Sequence, residues 1–299
     1  MNPGTPATIE AYLEQLKTAL AGADPALIQD ALYDAEEYLR SELAEHPELS
    51  EAALVAQVAS SYGAPDEVAD IYRGKEQTVQ QALRAPPPPK RTSLAGRFFG
   101  VAADPRAYAA LFYMLLSLAT GIFYFTWTVT GISLSMGLLV LIVGLPFAVL
   151  FLGTVRALAL VEGRLVEVML GVRMPRRPLY VQRDMSWLAR IGAMFTDPRT
   201  WSTLLYLLLM LPLGVVYFTV VLTGLVVSFG LIAAPFAQLF GGMPMAMIDG
   251  VAYVWPTLML PLLALVGVLL LFGMLHLARG IGHVHGQIAR HLLVKTAWN

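Results

Sequence analysis

The chain has 299 residues, of which 57% are hydrophobic and 14% charged, with a mean hydropathy of +0.63. Soluble domains are about 45–50% apolar and about 25% charged, which excludes a wholly soluble protein, and the absence of cysteine excludes disulfides, thiolate metal sites and thiol nucleophiles. Residues 1–78 hold 15 Asp and Glu against 4 Lys and Arg, a net charge of −11, and the remainder holds 16 basic and 6 acidic residues, a net of +10, so an acidic head precedes a basic, apolar body.

In the head, Thr8 precedes Ile9, Tyr12, Leu13, Leu16 and Leu20, an i, i+3, i+4 pattern that predicts a helix ending at Gly22. Asp24-Pro25 reads as an N-cap with proline at the first helical position. The helix it opens carries Ile28, Leu32, Ala35, Leu39 and Leu43 on one face and stops at His46-Pro47. Ser50 caps a third helix, closed by Gly63, and Pro65 starts a short fourth. The first 25 residues hold no apolar core flanked by positive charge, so no signal peptide is expected. An acidic stripe runs along the second helix. Asp30, Asp34, Glu37 and Glu42 are its candidates for docking a partner, the alternative being a solvated helix face.

The segments YDAEEYLRSEL (33–43) and LSEAALVAQVASSYGAPDEVADIY (49–72) resemble the HAAS/DUF1700 type of signalling-associated helical domain over about residues 7–75. The resemblance implies a bacterial membrane protein, often linked with PadR-type regulators, and brings no catalytic residues. Residues 79–98 follow as a linker whose APPPPKR run favours a stiff, extended spacer.

From Ala107 to Val155 there is no charged residue, and from Thr200 to Ala278 only Asp249. Such stretches read as membrane spans, predicted at about 107–129, 134–155, 201–224 and 257–276. The first hairpin turns at Thr130–Ser133, and Pro212 is expected to kink the third span. An offset of 93 residues takes Asp104-Pro105-Arg106 to Asp197-Pro198-Arg199, Tyr113 to Tyr206, Gly121 to Gly214 and Tyr124 to Tyr217. Further on, an offset of 123 aligns the stretch from Arg156 with that from Arg279. These matches predict an internal duplication with an insertion around 236–259. The organisation is thus a helical head (1–78), a linker (79–98), a first membrane unit (99–172), a cytoplasmic linker (173–196) and a second membrane unit with a C-terminal cytoplasmic helix (197–299). The fold class is all-α, a small cytoplasmic bundle joined to a polytopic membrane domain of two repeated hairpins. Basic residues flank one side of the spans, so the positive-inside rule places both termini in the cytoplasm of a bacterial inner membrane and makes the two units parallel.

Residues 197–224 and 275–293, with DPR and YFT elements in both halves, are similar to the sensor domain fused to many actinobacterial histidine kinases, over about 97–294. That resemblance implies signalling. No kinase or DNA-binding segment follows before Asn299, so the output is expected to pass to another protein.

Few residues suggest chemistry. Asp104 and Asp197 read as N-caps. His276, His283, His285 and His291 crowd one helix with no carboxylate nearby and in no metal-binding spacing, so neither metal nor cofactor is expected. The spans as bounded hold no acid, which argues against a proton-coupled pump. Tyr124, Trp127, Tyr217 and Trp255 read as an aromatic belt or, alternatively, as contacts to a lipid or hydrophobic ligand, with Asp249 as an outer ligand contact or a solvated acid. No Ser-His-Asp, Walker or Rossmann pattern occurs. The expected function is a non-enzymatic membrane sensor that relays an envelope or bilayer signal to a transcription regulator or kinase. A transporter or lipid-handling protein is the alternative. Membrane lipids are expected partners, nucleic acid is not, and Gly282 and Gly286 would allow a homodimer.

Overall fold

The computed structural model describes residues 6–83, 93–141, 144–177, 187–242, 244 and 246–294; the proline run of the linker lies outside them. The head forms four helices, α1 (Ile9–Ala19), α2 (Pro25–Glu45), α3 (Glu51–Ser61) and α4 (Pro65–Leu83). Thr8, Asp24 and Ser50 cap the first three as the sequence predicts, each side chain accepting from a backbone N–H of the first turn. The apolar stripes meet in one core of Ile9, Tyr12, Leu16, Leu32, Leu39, Leu54 and Val58, where each buried aliphatic side chain contributes about 1.5–3 kcal/mol. The fourth helix is not short. It continues 19 residues to Leu83, because nothing after Pro65 breaks it.

A short helix, α5 (Leu94–Phe99), leads into the body helices α6 (Pro105–Leu138) and α7 (Gly144–Leu170), then α8 (Trp187–Thr196), α9 (Pro198–Gly241) and α10 (Leu260–Leu293). Four of these, α6, α7, α9 and α10, are long and apolar enough to cross a membrane. They run further than the sequence suggests. The helix does not turn at Thr130–Ser133 but continues to Leu138. Likewise α7 and α10 pass straight through the polar stretches after Val155 and Leu275, and α9 includes residues 225–240 with both Pro212 and Pro235 inside it. Hydropathy marks where a helix becomes polar, not where its hydrogen bonds end. The insertion folds into a two-stranded antiparallel hairpin, β1 (Ala246–Ile248) and β2 (Val251–Tyr253). Its two-residue turn is Asp249-Gly250, both at positive φ, the conformation that Asp-Gly suits.

Contact directions settle how the hairpins are arranged. The partners of α6 and its lead-in climb along α10: Phe98 with His276, Asp104 with Arg279, Ala110 with Gly282, Tyr113 with His285. The partners of α9 descend it: Arg199 with Val294, Ser202 with Leu292, Gly224 with Met274. So α6 and α9 run in opposite directions, contrary to the parallel units expected from charge. The charge argument counted the flanking arginines only by their place along the chain. Arg156, Arg279 and Arg290 instead pair with Asp197, Asp104 and Asp24, and Arg199 with Gln29 and the Val294 carbonyl.

The helices touch most closely at Gly121 and Gly214. A Cβ on Gly121 would collide with the Met210 carbonyl, and one on Gly214 with that of Ser117. Glycine lets the two backbones meet, as small residues do in membrane helix pairs. The face expected to serve a homodimer is occupied within the chain, Gly282 lying against Ala110 and Leu170, and Gly286 against Val172.

Candidate functional site

Where the two hairpins cross, a buried polar cluster closes around Glu162 of α7 and His285 of α10, both 0% exposed. Tyr113 and Tyr206 reach it from α6 and α9, and their hydroxyls donate to Glu162 Oε1 at 2.6 and 3.0 Å. Tyr124 donates to Oε2 at 3.0 Å. The Tyr113 and Tyr206 hydroxyls also lie 2.7 and 3.0 Å from His285 Nε2, and Tyr217 lies 3.2 Å from Nδ1. One assignment of protons satisfies every contact. In it Glu162 would be a carboxylate accepting from three tyrosines, His285 would carry its proton on Nε2, and Tyr217 would donate to Nδ1. An acid and a base thus share two bridging hydroxyls, and gain or loss of one proton would change the net charge at the core of the crossing.

Every member has a counterpart at the offsets seen in the sequence: Tyr113 with Tyr206, Tyr124 with Tyr217, and Glu162 with His285. The same offsets relate the ion pairs Asp104–Arg279 (3.1 Å) and Asp197–Arg156 (3.7 Å). Both aspartates also cap their helices as predicted, at 3.0 and 2.9 Å from the N–H groups of Arg106 and Arg199.

The head docks on the other side of α7. Gly171, at positive φ, ends that helix, and residues 172–177 pass beneath α2. Asp30, 6% exposed, accepts from the backbone N–H groups of Arg176 and Arg177 at 2.7 and 2.8 Å and from Arg173 Nη2 at 2.9 Å. Burial raises the Asp30 pKa above the usual carboxylate value, outweighing those donors. Burial pulls the other way on Arg173, but Asp30, Glu76 and Glu167 around it leave its pKa above the ordinary value. Glu167 of α7 also accepts from Arg173 Nη1 at 3.1 Å and Arg176 Nη2 at 3.2 Å. Asp34 pairs with Arg177 at 2.7 Å, Gln29 donates to the Arg177 carbonyl, and Asp24 pairs with Arg290 of α10 at 2.8 Å.

The structure therefore divides the sequence candidates. Asp30 and Asp34 of the acidic stripe bind the chain's own basic segment, while Glu37 is exposed and Glu42 half-buried. Tyr124 and Tyr217 belong to the buried cluster and not to an outer aromatic belt. Trp127 is half-exposed and donates to Thr154. Asp249 makes the β-turn, and the exposed Trp255 is held through its backbone by Gln238. Two sequence readings are corrected: a membrane-length helix does hold a buried acid, and a carboxylate does lie near one of the histidines, His285, joined to it through two tyrosine hydroxyls. Among the described residues no group of three or more His, Asp or Glu side chains is placed to hold a metal ion.

Fold and cluster together define a polytopic all-α membrane protein with a buried acid–base network at its helix crossing. Residues 113–293 match the family model Sensor, described as "Putative sensor", over more than half of the chain, and the protein belongs to that family. The matched stretch begins at Tyr113 and includes all six cluster residues. No curated protein and no solved structure matches the chain.

Proposed function

We propose that the protein is a non-enzymatic sensor of a bacterial inner membrane that converts a change in hairpin packing into release or retention of a cytoplasmic partner by the acidic head. The observation that carries this reading is a repeated spacing. Five residues beyond Glu162 on α7 stands Glu167, which holds Arg173 and through it Asp30; five residues beyond His285 on α10 stands Arg290, which holds Asp24. Five residues rise about 7.5 Å along a helix, so a rotation or shift of either helix that disturbs the cluster also moves a grip on the head. Family membership and the four apolar helices support the sensing role.

The finer parts of the reading have their own support. The four-helix head and its GAPDEVA ending suit a HAAS-type domain, whose partner would be a transcription regulator or kinase, with Glu37 and Glu42 still available to it. The matched contacts at the two offsets suit a duplicated body. The Asp24–Arg290 pair supports a head seated against the end of α10. Crosslinking in intact cells, comparing the full chain with one lacking residues 1–78, tests the output. Capture of a regulator or kinase by the full chain alone supports the reading, and the same captured set for both overturns it.

One observation favours transport as a second reading: a buried acid within a membrane-length helix often marks an ion pathway. Proton flux in proteoliposomes that is lost in Glu162→Gln would favour it.

A further inference from the structure

Of the two arginines in the Asp-Pro-Arg motifs, only Arg199 is buried. Its counterpart Arg106 is exposed, whereas Arg199 is 2% exposed beneath the head. Its guanidinium donates through Nη1 to Gln29 Oε1 at 3.0 Å and through Nη2 to the Val294 carbonyl at 2.7 Å, and its Nε, equally buried, has no hydrogen-bond partner. Neutral oxygens are poor company for a buried cation, which ordinarily has an anion beside it. Arg156 lines the same space, and its Nε too is buried without a hydrogen-bond partner. The nearby carboxylate, Asp197, is engaged by Arg156 at 3.7 Å and by the first turn of α9. A cavity of about 50 Å³ opens between these groups, lined by Gln29, Arg156, Met174, Arg199, Thr203 and Leu293. A water molecule's share of liquid volume is about 30 Å³, so the space suits one small polyatomic group, a free ion or the phosphate of a headgroup, and not a bulky organic molecule.

We propose that this cavity, between the head and the body, binds a phosphate oxyanion through Arg156 and Arg199. Guanidinium groups match the geometry of phosphate oxygens and hold them with charge-assisted hydrogen bonds. The Thr203 side chain and the Gln29 amide complete a polar lining. Gln29 also bonds the Arg177 carbonyl at 2.7 Å, so the site lies where the head, through Gln29, already meets both α9 and the 172–177 segment. The phosphate would come either from solution or from the headgroup of an anionic lipid. The site is separate from the Glu162 cluster and does not depend on the identity of the head's partner.

The test is thermal unfolding of the purified full chain in two arms. In detergent, inorganic phosphate is titrated against chloride at matched ionic strength. In nanodiscs, phosphatidylglycerol is compared with phosphatidylcholine. Each arm is repeated with Arg156→Gln, and with Arg199→Gln where that variant folds. Stabilisation by free phosphate that Arg156→Gln weakens about tenfold or more in apparent affinity supports a soluble anion. Stabilisation seen only with phosphatidylglycerol, and lost in Arg156→Gln, supports a lipid headgroup. No stabilisation beyond chloride in either arm, or stabilisation that Arg156→Gln leaves intact, overturns the proposal.

Discussion

Replacing Asp30 with alanine should release the head from the body. Asp30 Oδ1 accepts from two backbone N–H groups and Oδ2 from Arg173, all within 2.9 Å. Removing one partner of a buried ion pair costs about 3–5 kcal/mol. The lower end applies here, because Arg173 keeps Glu76 and Glu167 as ionic partners when Asp30 is removed. About 3 kcal/mol is roughly 100-fold in the docking equilibrium. Trypsin supplies the assay. Docking shields the bonds after Arg173 and Arg176, and cleavage follows the open population when opening is fast. Cleavage at these two sites should therefore rise about 100-fold in Asp30→Ala. Glu37→Ala, on the exposed side of the same helix, should leave it unchanged. An increase below about threefold, with the head still helical by circular dichroism, would refute the docking argument.

Three further outcomes are expected. Glu162→Leu deprives three tyrosine hydroxyls of their acceptor, and at about 0.6–1.7 kcal/mol for each membrane hydrogen bond it should destabilise the body by about 2–5 kcal/mol, with Tyr124→Phe costing a single bond's worth; denaturation in detergent measures both. Gly121→Ala sets a methyl group against the Met210 carbonyl and should cost about 1–3 kcal/mol through overpacking, whereas Gly230→Ala, with open space around it, should be neutral by the same measurement. The pKa of Asp30 in the folded protein is raised, so the proton-linked part of its contribution, separate from the hydrogen bonds that the carboxylate keeps, is present below the unfolded carboxylate value and is lost as the pH rises through the folded one; spin-label distances between head and body should show docking weakening with rising pH, and Asp30→Ala should flatten that dependence.

Local chemistry made part of this structure legible. Asp-Pro pairs at 24, 104 and 197 announce helix starts because capping is decided by neighbouring residues alone. The amphipathic faces of the head follow the same logic. Glu162 was concealed because Arg156, Arg164 and Glu167 around it look like a solvated face, and hydropathy ends the span at Val155. A signal was nevertheless present: two offsets relate Tyr113 and Tyr124 to Tyr206 and Tyr217, and Glu162 to His285, so repeated hydroxyls already pointed toward a shared polar partner. The Asp249-Gly250 hairpin was also written in the sequence as a recognised turn pair flanked by apolar residues. The relative direction of the hairpins was not, because it depends on which arginine meets which aspartate across the fold.

The coupling of cluster to head is tested most directly by one distance. The chain has no cysteine, so single cysteines introduced at the exposed positions Gln57 on α3 and Gln287 on α10 can be spin-labelled without interference. The distance distribution would be compared in nanodiscs between the otherwise native chain and His285→Ala. The account predicts that losing the imidazole moves a measurable share of molecules to longer distances, because α10 then loosens its hold on Asp24. An unchanged distribution in a His285→Ala protein whose body is demonstrably destabilised would contradict it.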